Sequence, residues 1–245
     1  MKAIPRLRMF AGPNGSGKST LNNLLLPHLI GVYVNADVIE RTITETGKLC
    51  LKQFEIAGHG EELIQFLQHS SFLSSENLTP SSSSVSAERE TVLFHSYPVN
   101  SYLASVIADF LRKTLMVKRK TLTIETVMSH PSKVDLLKKA QESGYRTYLY
   151  FIATEDPLIN VSRVKNRVAQ GGHPVPEEKI IERYDRSLNL LFDAIRNTNR
   201  AYLFDNSGEN KQRTWLAEVT EGNEIEFKTD KIPAWFRRYL LEKIS

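Results

Sequence analysis

The sequence predicts an α/β fold of three layers: a mostly parallel, five-stranded sheet with helices on both faces and a helical lid. Three observations carry this. Residues 6–11 alternate like a strand, a glycine-rich loop follows, and Leu21, Leu24, Leu25 and Leu29 mark one face of a helix. Short apolar strands then alternate with helical stretches, the pattern of a parallel sheet covered on both sides. Near residue 171, two glycines and two prolines interrupt a pair of helical patterns, which reads as a hinge.

Taken in order, Val32-Tyr33-Val34-Asn35 is a short second strand, followed by a helix through about Thr46 that Gly47 stops. Residues 48–69 read as helical, with Leu63, Phe66 and Leu67 as one stripe. Residues 70–86 are rich in serine and contain Pro80, and read as a surface loop. A helix over 100–117 ends in Lys118-Arg119-Lys120, a solvated cationic end. The third strand is 121–125; Pro131 opens a helix that Gly144 terminates; 148–153, mostly apolar, is a central fourth strand. Helices follow over 160–170 and after Pro176, then a fifth strand over 201–204. Residues 215–219 and 225–228 can pair as a hairpin across Glu221-Gly222-Asn223. The whole reads as one domain over 1–245, with the lid at 160–186 and an extension at 209–245. With Gly-x-x-x-x-Gly-Lys-Ser at residues 12–19 between the first strand and the helix after it, this order of elements is that of the P-loop NTPases, whose ligands sit at the carboxyl ends of the strands.

Composition narrows the function. With 32 basic and 28 acidic residues the net charge is +4, which suits an anionic substrate but is far from a nucleic-acid-binding tail. The one cysteine, Cys50, excludes an internal disulfide, the first residues lack a signal-peptide core, and no apolar run is long enough to span a bilayer. A soluble cytoplasmic protein with no membrane partner is expected.

The chemistry begins at Phe-Ala-Gly-Pro-Asn-Gly-Ser-Gly-Lys-Ser-Thr, residues 10–20. Gly12 to Ser19 fits Gly-x-x-x-x-Gly-Lys-Ser, the phosphate-binding loop. Its backbone N–H groups can curl around an anion, Lys18 reaches the β- and γ-phosphates, and the Ser19 hydroxyl binds Mg²⁺. Gly12, Pro13, Asn14, Gly15, Ser16, Gly17, Lys18, Ser19 and Thr20 are therefore the expected ATP and Mg²⁺ contacts.

Three further clusters bear on what is done with the nucleotide. Asp37, in Asn35-Ala36-Asp37, stands at the carboxyl end of the second strand, where a carboxylate can take the proton of an attacking hydroxyl. It also reads as a helix cap, with Glu40 completing a capping box. Glu125 ends the third strand, where such folds often hold an acid near Mg²⁺ or substrate. His130, just before Pro131, reads as a helix-start residue. Arg163 and Arg167, four apart, share a helix face ahead of Gly171-Gly172-His173 and can clamp a moving phosphoryl group when the lid closes.

Together these clusters resemble the zeta-toxin kinase family. The matching pieces are Gly-Pro-Asn-Gly-Ser-Gly-Lys-Ser-Thr, Asn-Ala-Asp-Val-Ile, Glu-Thr-Val-Met-Ser, and the run from Arg163 through Gly-Gly-His-Pro-Val-Pro to Arg183-Tyr184-Asp185-Arg186. Phe204-Asp205-Asn206-Ser207-Gly208 is similar to the family's late loop near the adenine, so Asn206 joins the expected ATP contacts. The likeness covers about residues 6–208. It implies an ATP-dependent phosphotransferase acting on a hydroxyl of a small sugar nucleotide, as the founding members act on UDP-N-acetylglucosamine. In that picture Lys18, Asp37, Arg163 and Arg167 are catalytic, while Glu125 and Thr126 line the substrate side. An antitoxin protein comes into view as a partner. Where founding toxins carry a Glu-Gly-Thr-Leu-Arg type sequence, this chain has Glu125-Thr126-Val127-Met128-Ser129. Two alternatives stand beside this reading: a polynucleotide 5′-kinase, disfavoured for want of an aromatic and basic stripe, and a nucleotide-dependent switch or ATPase that binds a protein.

Overall fold

The structure, a computed structural model, describes residues 4–95, 97–172, 174–208 and 213–244. The first elements are β1 (Arg6–Ala11), a 3-10 helix (Lys18–Leu24), α1 (Pro27–Ile30), β2 (Val32–Asn35) and α2 (Ala36–Thr46). Then come β3 (Lys48–Cys50), a second 3-10 helix (Leu51–Phe54), α3 (Gly60–Gln68), α4 (Ser71–Ser75), β4 (Val85–Glu88), β5 (Thr91–Phe94) and α5 (Ser101–Val117). Next are β6 (Leu122–Thr126), α6 (Ser132–Glu142), β7 (Arg146–Ala153), α7 (Pro157–Ala169), α8 (Glu177–Asn189) and α9 (Leu191–Arg196). The last are β8 (Arg200–Asp205), β9 (Thr214–Thr220), β10 (Glu224–Phe227), α10 (Ala234–Tyr239) and a 3-10 turn (Leu241–Lys243). They form two compact units, Met1–Ile30 with Ile124–Ser245, and Gly31–Thr123.

In the first unit the sheet runs β10-β9-β8-β7-β1-β6. β1 pairs parallel with β7 and β7 parallel with β8, while β8/β9 and β9/β10 are antiparallel. All five expected strands are present. The predicted hairpin forms around residues 221–223 and extends the sheet, so the strand count exceeds five. β7 is central because its last five residues, Leu149 to Ala153, are at most 6% exposed, the signature of a strand covered on both faces. Parallel β1 ends at Ala11 beside Phe151, two residues before β7 does, and this brings the loop after β1 to the carboxyl edge of the sheet.

The helix expected after that loop takes another form. Lys18–Leu24 is 3-10, and Pro27 begins a separate short α1. Proline drives the residue before it out of helical backbone space, so one continuous helix cannot cross Leu26. Leu21 alone anchors the 3-10 turn in the core.

The second unit holds a three-stranded antiparallel sheet, β3-β5-β4, beside α2, α3 and α5. Ile39, Ile43, Leu49, Leu63, Leu67, Val92, Leu103, Ile107, Leu111 and Leu115 form its core, each at most 1% exposed. Residues 48–69 depart from the helix expected there. Lys48-Leu49-Cys50 alternates exposed and buried as β3, and α3 begins only at Gly60, after Gly58 at φ 85 has broken the run. Residues 70–86, expected as a loop, contain α4 and the start of β4. Ser70 caps α4 by accepting from the Leu73 N–H at 3.2 Å, and Leu73 is buried.

Candidate nucleotide site

The loop after β1 is shaped by contacts that only glycine permits. Gly12 has φ 142, and a Cβ there would stand 2.0 Å from the Ile152 carbonyl oxygen. At Gly15, φ 74, a Cβ would stand 2.6 Å from the Asn160 carbonyl oxygen. A side chain at either position would push the loop off the strand and helix that support it. Within the loop, Lys18 Nζ donates to the Pro13 carbonyl at 2.9 Å, and Thr20 Oγ1 donates to the Gly17 carbonyl at 2.8 Å. Ser16, fully buried, has a hydroxyl with no hydrogen-bond partner among the described residues. A buried O–H beside a glycine cradle and a lysine fits a phosphate oxygen as its missing acceptor.

At the rim of the loop, Ser19 Oγ lies 3.5 Å from Glu125 Oε1 on β6. A hydroxyl and a carboxylate are the hard oxygen donors that Mg²⁺ takes. Among the described residues no group of three or more His, Cys, Asp or Glu could hold a metal alone. A cation here would complete its shell with phosphate oxygens and water. Thr126, expected on the substrate side, closes the turn after β6: its Oγ1 accepts from the Met128 N–H at 3.1 Å. That turn holds Met128 at φ 56 and fully buried.

Two asparagines grip the loop from behind. Asn160 Nδ2 donates to the Asn14 carbonyl at 2.6 Å, and Asn206 Nδ2 donates to the Ser16 carbonyl at 2.7 Å. Asn206 was expected among the ATP contacts, and the structure brings it to the loop. Arg163 was expected to clamp a phosphoryl group, yet its guanidinium donates to the carbonyls of Asn206 at 2.7 Å and Gly208 at 3.0 Å. Arg167 lies one turn further along α7 and is exposed. The hinge glycines end that helix: the Gly171 N–H donates to Val168 and the Gly172 N–H to Arg167, each at 2.9 Å. These bonds satisfy carbonyls that a helix end leaves open. His173 lies outside the described residues.

Asp37 belongs to the other unit and is exposed in the first turn of α2. The cap of that helix is Asn35, not Asp37. Its side chain accepts from the Asp37 N–H at 2.9 Å and the Val38 N–H at 3.4 Å. The capping box expected of Asp37 and Glu40 is thereby corrected, and the Asp37 carboxylate is not spent on the helix end.

Sequence reading missed Asn160, Tyr184 and Arg213. Arg213 Nη1 donates to Thr20 Oγ1 at 2.8 Å. The Tyr184 hydroxyl donates to the Thr154 carbonyl at 2.6 Å. Burial, then the nearby Tyr239, Glu155, Asp156 and Asp185, push its ionisation well above the ordinary tyrosine range, so it stays a donor. One signal was available for Asn160: a short polar residue among the apolar positions of α7, where it had to find partners or cost stability.

The profile of the family described as Zeta toxin matches residues 87–211, just over half of the chain. The chain belongs to the zeta toxin family. In this zeta toxin family member the matched region carries Glu125, Thr126, Arg163, Arg167 and Asn206. The phosphate loop precedes it and stands on its own motif and geometry. A relative from Haemophilus influenzae, described as an uncharacterized protein, is 34% identical over 61 residues, covering 25% of this chain and 44% of that protein. The fold is shared with the solved AvrRxo1-ORF1:AvrRxo1-ORF2 assembly with sulphate ions, at 18% identity and TM-score 0.54, over 99% of this chain and 64% of that one. The same assembly with ATP gives 17% identity and TM-score 0.54, with the same coverages. The chain thus spans less than two thirds of the length of each of these proteins.

Among the described residues no helix is long and apolar enough to cross a membrane.

Proposed function

We propose that this zeta toxin family member is a Mg²⁺- and ATP-dependent kinase that transfers a phosphoryl group to a hydroxyl of a small molecule. The observation that carries the reading is the glycine cradle with a buried, unsatisfied Ser16 hydroxyl, next to the Ser19–Glu125 oxygen pair. The ATP present in an assembly of the same fold supports the choice of nucleotide. ATP, when bound, supplies the γ-phosphoryl group. Residues of the chain would do the rest: Lys18 and the loop N–H groups hold the phosphates, and Ser19 with Glu125 hold the cation. Arg167 is exposed on α7 and is the remaining candidate for a clamp. Asp37 is the proposed base, accepting the proton of the attacking hydroxyl.

A sugar nucleotide such as UDP-N-acetylglucosamine is the first acceptor to try, and an antitoxin protein is the proposed partner. Both compact units are taken as one kinase domain acting without a membrane or nucleic acid, in the cytoplasm. The test is incubation with γ-labelled ATP and Mg²⁺, with UDP-N-acetylglucosamine or a metabolite extract, followed by identification of the labelled product. A phosphorylated small molecule is expected. Labelled inorganic phosphate as the sole product would overturn the kinase reading in favour of a switch or ATPase, and label on an oligonucleotide 5′ end would point to the polynucleotide kinase.

A further inference from the structure

We propose that Asn160 is a positioning residue for the phosphate loop, and that Arg163 acts on the same loop through Asn206 rather than on the moving phosphoryl group. The proposal rests on the nucleotide reading above and deepens it. Asn160 and Arg163 are three apart on α7 and so project from one side of it. Asn160 is fully buried, and its Nδ2 holds the Asn14 carbonyl at 2.6 Å. Its Oδ1 accepts from Thr154 Oγ1, and the Thr154 carbonyl in turn accepts from the Tyr184 hydroxyl of α8. Arg163 fixes the Asn206 carbonyl at 2.7 Å, the Ala153 carbonyl holds the Asn206 N–H at 2.8 Å, and Asn206 Nδ2 holds the Ser16 carbonyl.

The consequence follows from the planarity of the peptide bond. No cis peptide occurs among the described residues, so each C=O points opposite to the N–H of the next residue. Pinning the Asn14 and Ser16 carbonyls from behind turns the N–H groups of Gly15 and Gly17 to the far side, where an anion is cradled. Both glycines sit at positive φ, 74 and 99, and glycine resists a peptide flip less than any other residue. The loop therefore needs external struts to hold its donors in place before a nucleotide arrives. A side-chain amide suits position 160 because it donates to one carbonyl and accepts from one hydroxyl at the same time.

The experiment measures ADP affinity by calorimetry, and kcat and KM for ATP, on full-length wild type, Asn160→Asp, Arg163→Lys and Tyr184→Phe. Asn160→Asp keeps the shape and removes the donor. About tenfold weaker ADP binding and a matching rise in KM are expected, the scale of one buried hydrogen bond. The value of kcat should stay within about twofold. Arg163→Lys keeps the charge but loses the fork, and should show the same split. A role confined to folding would lower the melting temperature without that split. If Asn160→Asp does not fold, Tyr184→Phe, which keeps the ring, should still weaken ADP binding by about two- to threefold. ADP affinity equal to wild type in Asn160→Asp, or in Tyr184→Phe where Asn160→Asp does not fold, overturns the positioning role. A fall in kcat at constant KM in Arg163→Lys returns that arginine to the phosphoryl clamp. A wild-type chain that does not bind ADP overturns the nucleotide reading as well, and so separates the two failures.

Discussion

Lys18 and Asp37 are the residues at which the proposed function separates binding from chemistry. The Lys18 ammonium, 2.9 Å from the Pro13 carbonyl, is a point charge at the mouth of the loop. Lys18→Ala should reduce transfer by at least about 10²–10³-fold, the cost of losing one preorganised charge-stabilising group. ATP affinity should fall less, because the backbone cradle and its amide struts remain. Transfer at the wild-type rate, measured by single turnover, would remove the nucleotide assignment from this loop. For Asp37 the structure simplifies the test. Asn35 caps α2, so Asp37→Asn leaves the helix end intact and removes only a proton acceptor. Transfer should drop by about 10²-fold, the low end for general-base catalysis, because a loose phosphoryl transition state asks little of its base. Equal rates would leave Asp37 as a surface residue of α2. The loop itself was legible because every feature of it lies within eight successive residues. Asn160 was not, because its partner Asn14 is 146 positions away in sequence. Its place among the apolar positions of α7 signals burial, but nothing local names the loop that it holds.

Elements were legible where a period and a stop signal coincide. α2 ends at Gly47, φ 68, and the hairpin of β9 and β10 turns where the glycine predicted it. Residues 48–69 failed because a three-residue strand gives too short a period to outweigh the apolar helical spacing that follows it. The glycine pair after α7 marks the helix boundary that the sequence predicts and has a structural role there beside the hinge reading. A helix end needs such residues even where nothing moves. The structure supplies that need: Gly171, at φ 86 with open space around it, caps the helix, and a Cβ on Gly172 would meet the Arg167 carbonyl oxygen at 2.8 Å. Gly171→Ala should then cost roughly 1–2 kcal/mol, the penalty for a side chain in left-handed backbone, and lower the melting temperature by about 2–4 °C per kcal/mol. Gly171→Asn should cost much less, since asparagine tolerates that conformation. Turnover of the folded protein should be unchanged in both. A fall in kcat in both variants, with the asparagine form melting as wild type does, would favour the hinge.

At the scale of the whole chain, the stretch after residue 211 lies outside the family match and outside the resemblance read from the sequence, yet it is built into the first unit. β9 and β10 extend its sheet, and α10 brings Trp235, Phe236 and Tyr239 into contact with it, each at most 8% exposed. The Trp235 indole N–H donates to Asp205 Oδ1 at 2.8 Å, and the Ala234 N–H donates to Glu155 Oε1 at 2.9 Å. Asp205 also accepts from the Ser207 hydroxyl at 2.8 Å, and Ser207 Oγ accepts from the Glu155 N–H at 2.7 Å. α10 thus braces the loop that carries Asn206, one of the two struts of the phosphate loop. Removing residues 230–245 would expose the surface under Trp235, Phe236, Tyr239 and Leu240. At about 1.5–3 kcal/mol for each large apolar side chain, the loss is of the order of a domain's entire stability. The truncated chain should not fold, and circular dichroism should show no cooperative melt. Trp235→Phe isolates the polar part. It keeps most of the buried ring but leaves Asp205 without its indole donor, and should cost about 1.5–3 kcal/mol, the range for a hydrogen bond to a charged group. It should also weaken ADP binding by loosening the 205–208 loop. A truncated protein that melts as wild type, or a Trp235→Phe variant unchanged in both stability and ADP affinity, would show that the stretch after residue 211 only decorates the fold.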